Sequence, residues 1–197
     1  MKIVLASNNA GKLKELSALL EPMNLELVSQ SSLGLESAEE TATTFIENAL
    51  TKARHASRLA SLPAIADDSG IAVDALSGAP GVYSARYAGV AATDQENNNK
   101  LLHELSEIVH PKAHYYCAVV YFAHEDDPAP LIATGRWDGE IITTPRGENG
   151  FGYDPYFLIP SLSQTAAELD PEQKNRLSHR GQAVAELRRQ LADLLDR

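Results

Sequence analysis

Apolar Ile3-Val4-Leu5-Ala6 gives way to polar Ser7-Asn8-Asn9-Ala10-Gly11-Lys12, after which Leu13, Leu16, Leu19 and Leu20 recur at helical spacing. A short continuous apolar run reads as a buried strand, and apolar residues three and four apart read as one helix face. The start of the chain therefore predicts a strand over Lys2–Ala6, a loop over Ser7–Lys12 and a helix over Leu13–Leu20. Phe45, Ala49, Lys52 and Ala56 share one stripe, predicting a helix from about Thr43 to Ala60 that Leu62-Pro63 ends. Pro63-Ala64-Ile65-Ala66 reads as a buried strand that ends in Asp67-Asp68-Ser69-Gly70. Gly78-Ala79-Pro80-Gly81 signals a turn, and Leu101, Leu102, Leu105 and Ile108 predict a helix over Thr93–Ile108. Tyr115–Ala123 and Pro130–Thr134 read as strands of a hairpin around the acidic turn Glu125-Asp126-Asp127-Pro128, with Gly139–Ile142 continuing the sheet. Ala183, Val184, Leu187, Leu191 and Leu194 mark a final helix.

With 197 residues and 44% hydrophobic content, the chain can bury one sizeable core, and no linker, repeat or low-complexity tract divides it, so a single domain over 1–197 is expected. The net charge of −10 argues against a broad basic surface for nucleic acid, although a small polyphosphate needs only a few cations gathered in one place. The polar turn after Ala6 leaves an apolar run too short for a signal-peptide core or a membrane span. One cysteine, Cys117, lies in an apolar stretch and cannot form an intramolecular disulfide, which fits a reducing, cytoplasmic setting. Six histidines are scattered without a ligand pattern, so zinc is not expected.

Several segments carry chemistry, each beside a plainer reading. The strand, polar loop and helix start around Ser7–Lys12 outline an anion site, or an ordinary strand-to-helix turn; Ala6 and Leu13 stand where a Walker A loop needs Gly and Ser or Thr. Asp67 and Asp68 point to opposite sides of an extended backbone, so one of them can face a given metal or water, unless the pair forms a turn. Lys52, on an apolar helix face, either snorkels to the rim or meets phosphate. Glu39-Glu40 either favours the dipole of the following helix or holds a metal. Phe151 between Gly150 and Gly152 suits a flat ligand such as a nucleobase, or is a glycine-rich turn. Ser178 can cap the last helix, while His179 and Arg180 would project donors from its first turn, where the dipole gives cations nothing.

Taken in order, Ser7-Asn8-Asn9-Ala10-Gly11-Lys12, Glu39-Glu40-Thr41, Phe45-Ile46-Glu47-Asn48-Ala49, Ala66-Asp67-Asp68-Ser69-Gly70, Phe151-Gly152-Tyr153-Asp154-Pro155 and Ser178-His179-Arg180-Gly181 resemble the Ham1/RdgB family of nucleoside triphosphate pyrophosphatases. The resemblance spans essentially the whole chain, including Gly78-Ala79-Pro80-Gly81 and Tyr83-Ser84-Ala85-Arg86-Tyr87. It implies an elongated α/β fold of the Maf/Ham1-like kind: a mixed sheet with flanking helices, in two lobes around a central cleft. It also implies Mg²⁺ dependence, a homodimer, and hydrolysis of inosine, deoxyinosine and xanthosine triphosphates to monophosphate and pyrophosphate.

Carried over residue by residue, the resemblance sets the triphosphate against Ser7, Asn8, Asn9, Ala10, Gly11 and Lys12, with Lys12 and Lys52 balancing its charge. Glu39 and Asp68 would hold Mg²⁺, Asp68 would activate the water that attacks the α-phosphorus, and Ser69 would contact substrate. Asp67 becomes the structural member of the pair. Base selection falls to Phe151, Gly152, Tyr153, Asp154, Lys174, His179 and Arg180, donors suited to a 6-oxo purine. The family often carries glycine where Asn8 and Asn149 stand, and asparagine is the residue that best tolerates a left-handed backbone in its place. Two other classes stand against this reading. A haloacid-dehalogenase-type phosphatase needs a strand ending Asp-x-Asp, which the adjacent pair lacks; a non-catalytic purine nucleotide sensor would need no general base or metal pair.

Overall fold

The computed structural model describes residues 1–195. In chain order the elements are β1 (Lys2–Leu5), α1 (Ala10–Leu20), β2 (Glu26–Ser29), α2 (Phe45–Ala60), β3 (Ala64–Val73), α3 (Asp94–Glu104), β4 (Lys112–Phe122), β5 (Leu131–Ile141), β6 (Phe157–Ile159), β7 (Gln164–Thr165), α4 (Pro171–Leu177) and α5 (His179–Leu195). One seven-stranded sheet runs in the order β2-β1-β3-β4-β5-β6-β7. It is mixed: β1 lies parallel to β2 and β3, whereas β5, β6 and β7 pair antiparallel.

The chain forms two compact units. Among the described residues, unit 1 comprises 1–68, 117–135 and 180–195, and unit 2 comprises 69–116 and 136–179. Each has its own core. Ile3, Leu5, Leu16, Leu20, Ile65, Val119 and Leu187 meet in unit 1, and Ile71, Leu101, Tyr115, Trp137, Phe157 and Leu169 in unit 2. In the second core the Tyr115, Trp137 and Phe157 rings pack with Tyr115–Phe157 centroids 4.6 Å apart and Trp137–Phe157 centroids 5.4 Å apart.

Local chemistry sets the helix starts. Asn9 Oδ1 accepts the Lys12 amide at 3.0 Å, so α1 begins at Ala10 rather than Leu13 and draws Ala10, Gly11 and Lys12 into its first turn. Thr44 Oγ1 accepts the Glu47 amide at 3.3 Å at the start of α2. Thr93 and Glu96 cap α3 reciprocally. That helix ends sooner than its apolar spacing predicts: Leu105 is its C-cap, Ile108 is exposed, and His110 takes a positive φ of 51° before Pro111.

Two strands are longer than their apolar runs. Pro130–Thr134 and Gly139–Ile142 merge into the single strand β5, whose buried positions Ala133, Gly135, Trp137 and Ile141 alternate with exposed ones. A side chain at Gly139 would meet Leu158 O at 2.5 Å and the Phe157 ring, so glycine is what lets β6 pair there. Asp127 braces the preceding turn, its carboxylate accepting the Ala123 and Ala129 amides at 3.2 and 2.9 Å. The Asp67-Asp68 pair neither ends its strand nor forms a turn: β3 continues through Ser69 and Gly70 to Val73. Ser84 Oγ supports this extension, accepting the Ile71 amide at 2.9 Å and donating to Gly81 O at 2.6 Å.

Gly70 lies under that serine. A Cβ there would sit 2.4 Å from Ser84 Oγ and 2.5 Å from Gly81 O, the latter a backbone atom. Gly70→Ala is expected to destabilise the protein by about 1–3 kcal/mol through overpacking, measured by urea denaturation.

Candidate active site

In unit 1, alternation along β3 gives the two aspartates separate partners. Asp67 is 1% exposed and meets three cationic contacts at Oδ2: Lys12 Nζ at 3.3 Å, Arg180 Nη2 at 3.1 Å and Arg180 Nε at 3.3 Å. Arg180 Nη1 also donates to Glu15, one turn beyond Lys12 on α1. Burial alone would raise the Asp67 carboxyl, but Lys12, then Arg180 and Lys52, outweigh it and hold Asp67 well below the ordinary carboxylate range. Asp67 is thus a fixed anion that ties α1 and α5 to the sheet.

Asp68 is set differently. Its Oδ1 accepts from Lys52 Nζ at 2.9 Å and its Oδ2 from Asn48 Nδ2 at 3.2 Å. Burial raises its pKa, and the nearby lysines Lys52 and Lys12 reverse only part of that rise, to which Glu40 adds. Lys52 Nζ also donates to Glu40 Oε1 at 2.9 Å, so one ammonium bridges two carboxylates. Burial would lower the Lys52 pKa, yet Asp68, Asp67 and Glu40 together raise it, and the lysine stays charged. The stripe that put Lys52 on the buried face of α2 therefore brings it to Asp68 rather than to the rim.

The residues expected from sequence divide as follows. Ser7, Asn8 and Asn9 precede α1 and shape its start: Ser7 Oγ accepts the Asn9 amide at 3.2 Å. Ala10, Gly11 and Lys12 form the first turn of α1, a helix end with amides to offer an anion. Glu40, not Glu39, reaches the lysine at Asp68; Glu39 is exposed. Arg180 belongs to unit 1, where it meets Asp67 and Glu15.

Those others gather in unit 2. Asp154 accepts from Tyr115 OH at 3.0 Å, the Phe151 amide at 2.9 Å and Lys174 Nζ at 2.7 Å. Lys174 Nζ also stands 5.0 Å from the Phe151 ring centroid, and His179 stacks on Tyr115 with centroids 4.6 Å apart. The Gly152 amide donates to Asp94 Oδ2 at 2.7 Å and Gly152 O accepts from Asn98 Nδ2 at 2.9 Å, while Tyr153 OH donates to Ser84 O at 2.8 Å. Ser69 is half-buried on β3. Gly150 and Gly152 take positive φ angles of 78° and 64°, whereas Asn149 and Asn8 do not, so neither asparagine stands in for a left-handed glycine. Asn149 instead donates from Nδ2 to Leu169 O at 3.1 Å.

Sequence reasoning gave no role to Asn48, which lies one turn before Lys52 on α2. Its amide joins Asp68 to the backbone of Ala42, whose N–H it accepts at 3.1 Å. The signal was present: a polar side chain at i−4 to Lys52 on the same buried face. Among the described residues, no cluster of three or more His, Cys, Asp and Glu could form a metal cage, and no helix is long and apolar enough to cross a membrane.

Comparison with known proteins bears on the fold and the family. A solved HAM1 protein from Coxiella burnetii superposes with a TM-score of 0.91 at 49% identity, covering 98% of this chain and 99% of that one. The fold is therefore that of a mixed-sheet α/β protein of the HAM1 kind. The Ham1 family model matches residues 3–190, and the chain belongs to the Ham1 family. Among its relatives, a protein of Ralstonia nicotianae named dITP/XTP pyrophosphatase is 59% identical over 189 residues, 94% of each chain. One of the same name from Nitrosomonas europaea is 56% identical over 192 residues, 98% of this chain and 95% of its own.

The Asp67 cluster carries a pH signature. Asp67→Asn leaves Lys12 and Arg180 without their shared anion and is expected to cost about 3–5 kcal/mol at neutral pH. Because the folded pKa lies below the unfolded value of about 3.9, this contribution is complete above that value and is lost as pH falls through the folded one. Urea titrations of the two proteins should therefore show a constant gap from about pH 7 to pH 5 that narrows only below about pH 4.

Proposed function

We propose that the chain hydrolyses non-standard purine nucleoside triphosphates, ITP, dITP and XTP, to the monophosphate and pyrophosphate, with Mg²⁺ as cofactor. The observation that carries this reading is the unequal pair on β3: Asp67 held as an anion by Lys12 and Arg180 and, one residue on, a buried Asp68 whose oxygens are set by Lys52 and Asn48. The names of the relatives support the substrate class.

In this reading, Lys12, Lys52 and the first-turn amides of α1 balance the triphosphate charge. Asp68 accepts a proton from the water that attacks the α-phosphorus; the bond from phosphorus to the bridging oxygen breaks, and pyrophosphate leaves with the electron pair. Lys52 and Asn48 fix where the two oxygens of Asp68 point, so the water is activated chiefly by being positioned. The donor set fits Mg²⁺, which takes one or two carboxylates and completes its shell with water and phosphate oxygens. Asp68 and Glu40, bridged by Lys52, would hold it, with Glu39 the neighbouring carboxylate expected from sequence. When bound, the ion supplies charge stabilisation at the phosphate oxygens.

Base selection falls to the Phe151–Asp154 segment with Lys174 and His179. Phe151 offers a ring face, and the Lys174 ammonium and the His179 ring supply donors for a 6-oxo purine, which accepts where the 6-amino group of adenine donates. Arg180 is proposed to act through Asp67, whose charge it holds. A homodimer, as the family resemblance implies, and a cytoplasmic setting, as the single cysteine suggests, complete the proposal.

Initial rates on ITP, dITP, XTP, ATP and GTP test the assignment, with orthophosphate assayed before and after added inorganic pyrophosphatase. The non-standard purines should turn over far faster, with phosphate appearing only after the added enzyme; equal ATP and ITP rates, or direct phosphate release, reject it. Asp68→Asn should bind inosine nucleotides and lose about 10²–10⁴-fold in turnover, whereas a nucleotide sensor would show no turnover to lose. Titrating Mg²⁺ separates the two glutamates: Glu40→Gln should raise the metal requirement by about tenfold or more, and Glu39→Gln by less.

A further inference from the structure

The Ser7–Lys12 loop has a side-chain support that the proposed reaction does not use. Gln30, 4% exposed at the end of β2, donates from Nε2 to Asn8 Oδ1 at 3.0 Å and to Ser37 Oγ at 2.9 Å. Asn8 Nδ2 in turn donates to Ser37 Oγ at 2.7 Å. The three side chains close a triangle. Its base is rigid, because the Gln30 amide bonds Leu5 O at 3.0 Å and the Gln30 carbonyl accepts the Leu33 and Leu35 amides at 3.1 and 3.0 Å.

Counting donors gives the triangle a direction. A serine hydroxyl has two acceptor lone pairs and one proton. Asn8 and Gln30 fill both lone pairs of Ser37, so its proton is the one valence left, and among the described residues no acceptor takes it. Both Nε2 protons of Gln30 are spent, while Asn8 keeps one of its Nδ2 protons. Ser37 and Asn8 are both exposed. Two donors on exposed residues thus stand 2.7 Å apart beside the helix start that Asn9 caps, backed by a buried amide. A pair of neutral donors beside an anion-binding helix end is suited to the oxygens of one phosphate group.

We propose that Ser37 is a polyphosphate-binding residue, its hydroxyl proton presented beside the Ser7–Lys12 loop by Asn8 and Gln30, with Gln30 as the positioning residue. This rests on the nucleotide reading of that loop.

The test separates phosphate from nucleoside. Steady-state kinetics on ITP with Mg²⁺ are run with inorganic tripolyphosphate and with inosine as competitors, for the wild type and for Ser37→Ala, Ser37→Thr and Gln30→Leu. Ser37→Ala should raise the KM for ITP and the Ki of tripolyphosphate together by about tenfold, as expected for one lost hydrogen bond to a charged group, with the inosine Ki unchanged. Gln30→Leu should reproduce the effect and add little when combined with Ser37→Ala. An unchanged tripolyphosphate Ki in Ser37→Ala, or an equal rise for inosine, overturns the proposal. Ser37→Thr at the wild-type Ki supports it, and at the alanine value overturns it. Should the wild type fail to hydrolyse ITP, the functional reading falls, and calorimetric titration of tripolyphosphate into the same variants still decides the role of Ser37.

Discussion

Two carboxylates on consecutive residues of one buried strand make their direct contacts with different cations, because the backbone turns them to opposite faces. Unit 1 is organised around that constraint. Burying an ionised carboxylate is costly unless it is paired and hydrogen-bonded, so each aspartate requires its own set of partners. For Asp67 these come from Lys12 at the start of α1 and Arg180 at the start of α5, with Glu15 matching the second face of the guanidinium. For Asp68 they come from α2, one turn apart at Asn48 and Lys52. Three helices are thereby fixed in register on the sheet by charge as well as by their apolar faces. The two electrostatic settings also differ in sign of effect: cations dominate around Asp67, whereas burial dominates around Asp68.

Unit 2 solves a different problem, the shaping of a loop. The Phe151–Asp154 segment has little regular structure of its own, and side chains hold its backbone from several elements. Asp154 collects a tyrosine hydroxyl, a lysine and a backbone amide, and Asp94 and Asn98 of α3 grip both polar groups of Gly152. A loop held in this way keeps its ring and its donors in place without a ligand, so less ordering remains to be done on binding.

Elements with strong periodicity were legible in the sequence. The β1–loop–α1 unit, the α2 stripe and the divergence of Asp67 and Asp68 follow from local pattern, and Lys52 was placed on the right face of its helix. What local pattern misses is partnership across long sequence separations. Arg180 lies 113 residues from Asp67, and nothing in its own neighbourhood identifies the carboxylate it meets. Glu39 and Glu40 are equivalent as sequence, and only the path of the chain before α2 decides which reaches Lys52. Glycines misled where they usually interrupt strands. Gly70 lies within β3 and Gly135 and Gly139 within β5, and at Gly70 and Gly139 the absence of a side chain admits a neighbour. Conversely, Asn8 and Asn149 were expected to tolerate a left-handed backbone and instead contribute side-chain hydrogen bonds.

The single cysteine is shaped by the same carboxylate. Cys117 is fully buried with Sγ 4.0 Å from Asp67 Oδ2, and burial, with the adjoining negative charge, pushes its thiol up to about 12. Thiolate is the reactive form, so this buried, protonated sulfur is shielded from alkylating and disulfide-exchange reagents while the protein is folded. Chemically, the folded protein is a cysteine-free background. A cysteine introduced on either unit would be the only one to take up a spectroscopic label, and motions of the loops could be followed by site-specific probes without first removing a native thiol from the core.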